Sequence, residues 1–286
     1  MQEVTPVGRL APSPTGLLHL GHARTFLVAY FHTRSRGGRL LLRIEDLDGS
    51  RASQKYADAA LRDLEWLGIE WDGVPSIQSE HTERFERAVE TLFEQGLAYA
   101  CVCTRSDLAT AATAPHAGAT EARYPGTCRG RFASRAEAER TSGRSAGVRL
   151  VVPPGIVELH DELAGVQSFD VAAEVGDFLV ARRVGGASYQ LAVTVDDAAE
   201  GVTEVVRGDD LLPSSARQWH VQHALGLPHP RWAHVPLVVD AAGDRLAKRT
   251  DALSLESLRA RGADPRSIVA WAAQSAGVRA PDRATV

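Results

Sequence analysis

The chain has 286 residues, 44% of them hydrophobic and 24% charged, with a net charge of −4 and a pI of about 6.2. A chain of this size and composition can bury a sizeable core. No run approaches the roughly 20 apolar residues that a membrane span needs, and the N-terminus lacks a signal-peptide pattern, so we expect a cytoplasmic protein. The acidic balance gives no support for nucleic-acid binding, although it is compatible with a local basic patch, and three cysteines cannot build a disulfide framework.

The first hundred residues alternate between strand patterns and helix patterns. Residues 7–11 predict a short strand that runs into a turn of proline and glycine, and residues 40–44 form the continuous apolar run of a buried parallel strand. Between them, apolar residues recur at helical spacing from residue 22 until Gly37-Gly38 ends the helix. Two amphipathic helices are predicted near 53–67 and 82–95. This alternation predicts an α/β fold with a Rossmann-like parallel sheet.

The chain is predicted to divide into four segments. Residues 101–188 contain stretches without clear periodicity, and we interpret them as an insertion. The insertion separates residues 1–100 from residues 189–240, which are predicted to be the two halves of a nucleotide-binding domain. Residues 241–286 are predicted to hold a basic loop and a short helical segment.

Further elements are predicted within the second half. Strand patterns occur at 189–195 and 203–207, a helix at 214–225, and a last strand-like run at 237–239. Two helices follow the basic loop, and the second is expected to begin with Asp264 as its N-cap and Pro265 at its first position.

A histidine-rich turn lies where the first strand passes into the first helix. It contains His19, Gly21 and His22 in the order His-x-Gly-His. A helix N-terminus offers N–H donors and a positive dipole end, and glycine allows close backbone approach, so this position suits phosphate binding. Two histidines could donate hydrogen bonds to a phosphate that gains charge during adenylyl transfer. An ordinary turn with two surface histidines is the alternative interpretation.

A second signal lies in the late polar loop. Residues 244–250 carry three cations, Arg245, Lys248 and Arg249. A basic loop of this kind could close over the pyrophosphate of ATP and neutralise charge as it leaves. Taken alone, such a loop is more often simply solvated.

Together the two segments resemble the two signatures of class I aminoacyl-tRNA synthetases, in the correct order. The resemblance implies that His19, His22 and Lys248 are catalytic, and that His19, Gly21, His22 and Lys248 bind ATP with Mg²⁺. The chain departs from the family at Arg245 and Ala247, where lysine and serine are common.

Four further segments resemble the glutamyl branch of this class. They begin at Arg9, Arg43, Ser188 and Val206, and the resemblance implies a glutamate site. Two arginines would supply guanidinium groups for carboxylates, Glu45 a partner for the α-ammonium, and Tyr189 a hydroxyl and a wall. Val193 departs from the asparagine that full-length glutamyl enzymes tend to carry. The implied glutamate-binding residues are Arg9, Ala11, Ser13, Glu45, Tyr189 and Arg207.

The cysteines form a candidate structural zinc site. Cys101 and Cys103 are two residues apart and Cys128 follows downstream, which gives three of the four ligands of tetrahedral zinc. His116 is a chemically ordinary fourth ligand. Tyr124 is the fourth ligand implied by resemblance to truncated paralogues of glutamyl-tRNA synthetase, the glutamyl-Q tRNA(Asp) synthetase family. Three cysteines without a metal are the alternative.

This family resemblance extends over nearly the whole chain. The residues after Thr250 suffice for two helices and a tail, and we expect no anticodon-binding domain. The resemblance implies activation of glutamate by ATP without tRNA, followed by transfer to queuosine at the wobble position of tRNA(Asp), by a monomer with no membrane partner. Two alternatives remain open: a related ligase that joins an activated amino acid to a small amine, and a degenerate paralogue that only binds nucleotide or tRNA. An adenylyltransferase that shares only the His-x-Gly-His turn would not need the glutamate-site residues.

Overall fold

The computed structural model describes residues 5–104, 106–108, 123–184, 186–239 and 254–277. Within these ranges no helix is both long enough and apolar enough to cross a bilayer. The strands are β1 Val7–Leu10, β2 Arg39–Ile44, β3 Ser76–Ile77, β4 Ala98–Cys101, β5 Gly147–Leu150, β6 Val157–Asp161, β7 Gly165–Phe169, β8 Leu179–Ala181, β9 Glu204–Gly208 and β10 Arg231–Val235. The helices are α1 Leu20–Ser35, α2 Gln54–Trp66, α3 Thr82–Glu94, α4 Arg135–Ser142, α5 Val171–Glu174, α6 Tyr189–Ala199, α7 Leu212–Leu225, α8 Leu255–Ala260 and α9 Pro265–Ser275.

The strands form two sheets, of which the larger has the order β3-β2-β1-β9-β10-β6-β7. Its pairs are parallel except for the hairpin β6–β7. The smaller sheet is antiparallel, with the order β4-β5-β8. The predicted α/β fold with a mainly parallel sheet is therefore confirmed.

The strand order reverses beside β1. The chain passes from β1 through α1 to β2 on one side, whereas β9 lies on the other side and leads through α7 to β10. In open parallel sheets, ligands bind outside the carboxyl ends of the strands at such a switch point. The topology therefore predicts a ligand site among the residues that follow β1, β2, β9 and β10.

Apolar side chains from the helices cover both sides of this arrangement. One cluster includes Leu27 of α1, Leu64 of α2 and Ala272 of α9. A second cluster includes Leu92 of α3, Leu191 of α6 and Val221 of α7. Because parallel sheets are stable only when helices bury their faces, these clusters hold the carboxyl ends of the strands in fixed positions.

Most of the predicted elements are present, and two predictions are wrong. Residues 189–195 form the start of helix α6 and not a strand. Ser188 caps this helix through its side chain, and residues 190–194 are all buried, so the polar side that would reveal helical periodicity is missing. Among the described residues the last strand is β10, whereas Leu237 and Val238 of the predicted run line a cavity beyond its end.

The predicted insertion contributes to both sheets. Its strands β5 and β8 join β4 in the smaller sheet, and its hairpin β6–β7 extends the larger sheet beside β10. The division of the chain into segments stays a prediction.

Candidate functional site: a cavity at the switch point

A cavity of about 650 Å³ opens at the carboxyl ends of β1, β2, β9 and β10. Its walls come from the turn after β1, the start of α1, the first residue after β2, the start of α6, the end of β9 and the chain after β10. Every predicted ATP-binding or glutamate-binding residue that the structure describes lines this cavity. These residues are Arg9, Ala11, Ser13, His19, Gly21, His22, Glu45, Tyr189 and Arg207.

His19 and His22 form a reciprocal cap at the start of α1. Nδ1 of His19 accepts a hydrogen bond from the N–H of Gly21 at 3.1 Å, and Nδ1 of His22 accepts from the N–H of His19 at 3.2 Å. The two rings stack with their centroids 3.8 Å apart. Because each Nδ1 accepts, a neutral ring must carry its proton on Nε2, which is the nitrogen that can donate to a phosphate oxygen.

Gly21 makes room for this stacked pair. A Cβ atom at residue 21 would lie 3.0 Å from Cε1 and 3.1 Å from Nδ1 of His19. Those separations are tighter than ordinary van der Waals contact, so a side chain here would displace the histidine ring. The glycine of the His-x-Gly-His pattern therefore serves ring placement as well as backbone approach.

Arg207, at the end of β9, is buried at the far side of the cavity. Its Nε donates to Nε2 of His234 at 3.0 Å, and its Nη2 donates to Oγ of Ser215 at 2.8 Å. Its Nη1 lies 3.5 Å from the hydroxyl of Tyr189, the one hydrogen bond of this nitrogen among the described residues. Burial lowers the pKa of Arg207 and raises the pKa of Tyr189, but a guanidinium remains charged. The arrangement suits an incoming carboxylate beside Nη1 and the tyrosine hydroxyl.

Arg9 and Glu45 belong to a second buried network. Nε of Arg9 lies 3.2 Å from Asp197, and Arg43 lies 2.6 Å from Asp197 and 3.3 Å from Glu45. Arg43 also lies 2.6 Å from Glu200. Burial raises the pKa of Glu45. Burial acts in the same direction on Asp197, but the positive charges of Arg9 and Arg43 outweigh it, so the pKa of Asp197 is lowered. Asp197 thus carries the negative charge that orients both arginines.

Sequence reasoning missed the residues behind the cavity. Asp197 and Arg43 lie in recognised segments without having been assigned a role, and Asp161 and His234 gave no sequence signal because they are far apart in the chain. Some predicted residues lie outside the described part of the chain. They are Arg245, Ala247 and Lys248 of the basic loop, and His116.

The three cysteines come together in the smaller sheet and the adjacent turn. Their sulfur atoms all lie within 4.8 Å of one another, and those of Cys103 and Cys128 are 3.5 Å apart. The Tyr124 oxygen lies 3.4 Å from the sulfur of Cys101 and 3.8 Å from that of Cys103. A tetrahedral zinc ion with Zn–S bonds of about 2.3 Å holds its sulfur ligands about 3.8 Å apart. The donor set therefore fits zinc.

Arg149 supports this cluster from outside. Its Nε donates to the sulfur of Cys101 at 3.3 Å, and its guanidinium lies 3.7 Å from the centre of the Tyr124 ring. A hydrogen bond of this kind can orient a sulfur ligand toward a metal ion.

Comparison with known proteins agrees with the site. The family model described as tRNA synthetases class I (E and Q), catalytic domain, matches residues 6–280. A glutamyl-Q tRNA(Asp) synthetase from Nitratidesulfovibrio vulgaris is 43% identical over 279 residues, covering 95% of this chain and 86% of that protein. One from Nocardia farcinica is 46% identical over 272 residues, covering 95% and 85%.

A solved structure shows the same architecture. The glutamate-tRNA synthetase from Elizabethkingia anophelis superposes with a TM-score of 0.75 at 28% identity. The match covers 86% of this chain and 53% of that one, so the chain spans about half the length of this larger protein.

The parallel sheet, its switch-point cavity and the paired histidines at the start of α1 define an enzyme of the class I aminoacyl-tRNA synthetase type. The chain belongs to the class I tRNA synthetase family for E and Q, and within it to the glutamyl-Q tRNA(Asp) synthetases.

Proposed function

We propose that this protein activates glutamate with ATP, without tRNA, and transfers the glutamyl group to queuosine at the wobble position of tRNA(Asp). The observation that carries the proposal is one cavity that joins a phosphate-binding helix start to two buried arginines and a buried glutamate. The relatives' name supplies tRNA(Asp) as the macromolecular partner.

Activation is an adenylyl transfer. An α-carboxylate oxygen of glutamate attacks the α-phosphorus of Mg·ATP, the bond to the pyrophosphate oxygen breaks, and its electron pair leaves with pyrophosphate. His19 and His22 would donate from Nε2 to phosphate oxygens that gain charge in the transition state, beside the N-terminal dipole of α1. Lys248 would neutralise the leaving pyrophosphate.

The substrate glutamate would lie between the two buried networks. Arg207 and Tyr189 would bind one carboxylate of the substrate. Arg9, which belongs to the Asp197 network, would attract a substrate carboxylate from the other side. Glu45 would accept a hydrogen bond from the α-ammonium group of glutamate. The positive charge of that group would offset the rise in the pKa of Glu45 that burial causes. Ala11 and Ser13 would shape the cavity floor in the turn after β1.

In the second step, a cyclopentenediol hydroxyl of queuosine attacks the acyl carbon of glutamyl-adenylate. The bond to the phosphate oxygen breaks, AMP leaves with that electron pair, and the hydroxyl proton is lost to AMP or solvent.

Zinc, when bound, would be held by Cys101, Cys103, Cys128 and Tyr124. It would supply structural cross-linking of β4 to the turn that contains Cys128, without a role in catalysis. The segments 1–100, 101–188, 189–240 and 241–286 remain the proposed division of the chain.

The decisive experiment is exchange of radiolabelled pyrophosphate into ATP in the absence of tRNA, with each of the twenty amino acids. We expect exchange with glutamate alone, and Arg207→Ala should raise the KM for glutamate sharply while leaving the KM for ATP intact. Transfer of labelled glutamate to tRNA(Asp) with and without queuosine then tests the acceptor. Exchange with another amino acid would indicate the small-amine ligase, and an exchange rate unaffected by glutamate would contradict the proposed activation.

A further inference from the structure

Two buried groups lie behind Arg207 on strands from distant parts of the chain. His234 of β10 accepts from Arg207, and its Nδ1 lies 2.5 Å from Oδ2 of Asp161 on β6. Asp161 and His234 are buried, and Trp232 lies under the guanidinium with its ring centre 4.8 Å away. The parallel pairing of β6 with β10 at Asp161 and Trp232 brings the acid to this place.

The hydrogen positions in this chain of groups follow from what each group can donate. A guanidinium only donates, so Nε2 of His234 must accept from Nε of Arg207. Ser215 accepts from Nη2 of Arg207 at 2.8 Å, and its Oγ lies 3.2 Å from Nε2 of His234. The ring proton is therefore on Nδ1, where it is donated to Asp161.

Asp161 is held as an ionised acceptor. Its Oδ1 accepts the N–H groups of Leu163 at 3.0 Å and Ala164 at 2.8 Å, and its carboxylate also accepts the N–H of His234. Burial raises the pKa of Asp161, but these hydrogen bonds outweigh burial and lower it overall. Burial, reinforced by Arg207, lowers the pKa of His234 to about 4, so the ring is neutral near pH 7.

We propose that Asp161 and His234 form a positioning relay that fixes the Arg207 guanidinium so that Nη1 is directed at the substrate carboxylate. The proposal rests on the glutamate-binding role given to Arg207 above. With Nε and Nη2 occupied by His234, Ser215 and the carbonyl of Leu211, the guanidinium plane cannot rotate without leaving a buried donor unpaired. The relay therefore sets glutamate affinity from two strands, β6 and β10, whose residues do not line the cavity.

The two relay residues can be tested separately. Leucine at His234 removes the acceptor for Arg207, whereas glutamine keeps a carbonyl oxygen that can replace Nε2. Asp161→Asn keeps an oxygen for the N–H groups of Leu163 and Ala164 but places an amide N–H against His234, which favours the wrong tautomer.

We expect His234→Leu and Asp161→Asn each to raise the glutamate KM in pyrophosphate exchange about 10- to 100-fold, because a buried donor loses its acceptor. The KM for ATP should stay unchanged, and His234→Gln should stay within about threefold of wild type. Because leucine leaves no acceptor for Asp161 to orient, Asp161→Asn should have little further effect on the glutamate KM in the His234→Leu background.

Asp177→Asn is the matched control, because Asp177 is equally buried and hydrogen-bonded but lies beside the smaller sheet. It is expected to change thermal stability and not the glutamate KM. Equal KM values for the leucine and glutamine variants, or an undiminished effect of Asp161→Asn in the leucine background, would overturn the relay.

A readout independent of activity separates this proposal from the proposed function. In ¹⁵N-histidine NMR spectra at pH 7, the signal that disappears in His234→Gln should show the neutral Nδ1–H tautomer. That result would support the relay even if wild-type protein gave no glutamate-dependent exchange, which would defeat the proposed function alone. An Nε2–H tautomer or an imidazolium would overturn the relay whatever the activity.

Discussion

At the scale of single residues, the paired histidines owe their chemistry to backbone hydrogen bonds. The N–H groups of His19 and Gly21 occupy both Nδ1 atoms, so the helix cap itself selects the tautomer that can donate to phosphate. A helix N-terminus usually relies on serine, threonine, aspartate or asparagine for capping. Here one pair of histidines caps the helix, and we propose that the same pair binds phosphate.

His22→Asn separates these two tasks, because Oδ1 of asparagine can take the place of Nδ1 while the Nε2 donor is lost. We expect the kcat of pyrophosphate exchange to fall about 10²- to 10³-fold, as for loss of one transition-state donor. The glutamate KM and the melting temperature should change little. His223→Asn, at an exposed histidine of α7 that does not line the cavity, is the control. Unchanged turnover in His22→Asn would exclude the donor role.

At the scale of secondary-structure elements, the short strand β4 depends on its contacts with the distant turn near Cys128. The end of β4 and the turn near Cys128 contribute to a small apolar cluster that contains the three cysteines and Tyr124. A cluster of this size provides limited stabilisation, so a metal cross-link would contribute strongly to the order of this region.

Zinc should therefore be measurable in the purified protein. We expect one zinc per chain by elemental analysis, a lower melting temperature after removal with a chelator, and recovery on adding zinc. Cys128→Ser should reduce the zinc content, whereas Ser142→Ala on the adjacent α4 should not. A metal-free wild-type protein with the same melting temperature as the zinc-treated sample would contradict the zinc site.

The contact between α2 and α8 contains a buried acid. Neither carboxylate oxygen of Asp63 has a hydrogen-bond partner among the described residues, although Nη2 of Arg259 lies 3.4 Å away. Burial raises the pKa of Asp63 from 3.8 to about 6, and Arg259 only partly opposes this rise. The folded protein thus binds a proton more tightly than the unfolded chain at this site.

The consequence for stability has a defined sign. The contribution of Asp63 to the free energy of unfolding is fully present below pH 3.8 and is lost as the pH rises through about 6. Compared with wild type, Asp63→Asn should gain stability between these pH values. We expect the difference in melting temperature, variant minus wild type, to be larger at pH 7 than at pH 4. A difference that shrinks toward pH 7 would mean that the ion pair with Arg259 dominates.

At the scale of the whole molecule, the cavity joins parts of the chain that are far apart in sequence. Its walls include Arg9 and Glu45 from the first half and Tyr189 and Arg207 from the second. A ligand that contacts residues from both halves binds only when both halves are folded. It should therefore raise the free energy of unfolding of the whole protein.

An unreactive glutamyl-adenylate analogue tests this coupling. At about 100 times its Kd it should add about 2.7 kcal/mol to the free energy of unfolding, or about 5–10 °C in melting temperature. The Arg207→Ala variant should lose most of this shift at the same concentration. An equal shift with the corresponding leucyl analogue would show that the cavity does not distinguish the glutamate side chain.

The sequence by itself determined the fold class, most helices and nine of the twenty residues that line the cavity. Strand runs, helix caps and local motifs are patterns within short stretches of chain, and the His19–His22 turn carries its chemistry in four consecutive residues. Helix α6 was mistaken for a strand because its burial on nearly all sides hides the helical period.

Only the tertiary structure decided which buried acid pairs with which buried arginine or histidine. Asp197 is 188 residues from Arg9, and Asp161 is 73 residues from His234, yet both pairs are in contact. No local pattern encodes such pairs, because they depend on the order of the strands and on the register of β6 against β10. The site residues carried by local motifs could therefore be predicted, whereas the groups that hold Arg9 and Arg207 in place required the folded sheet.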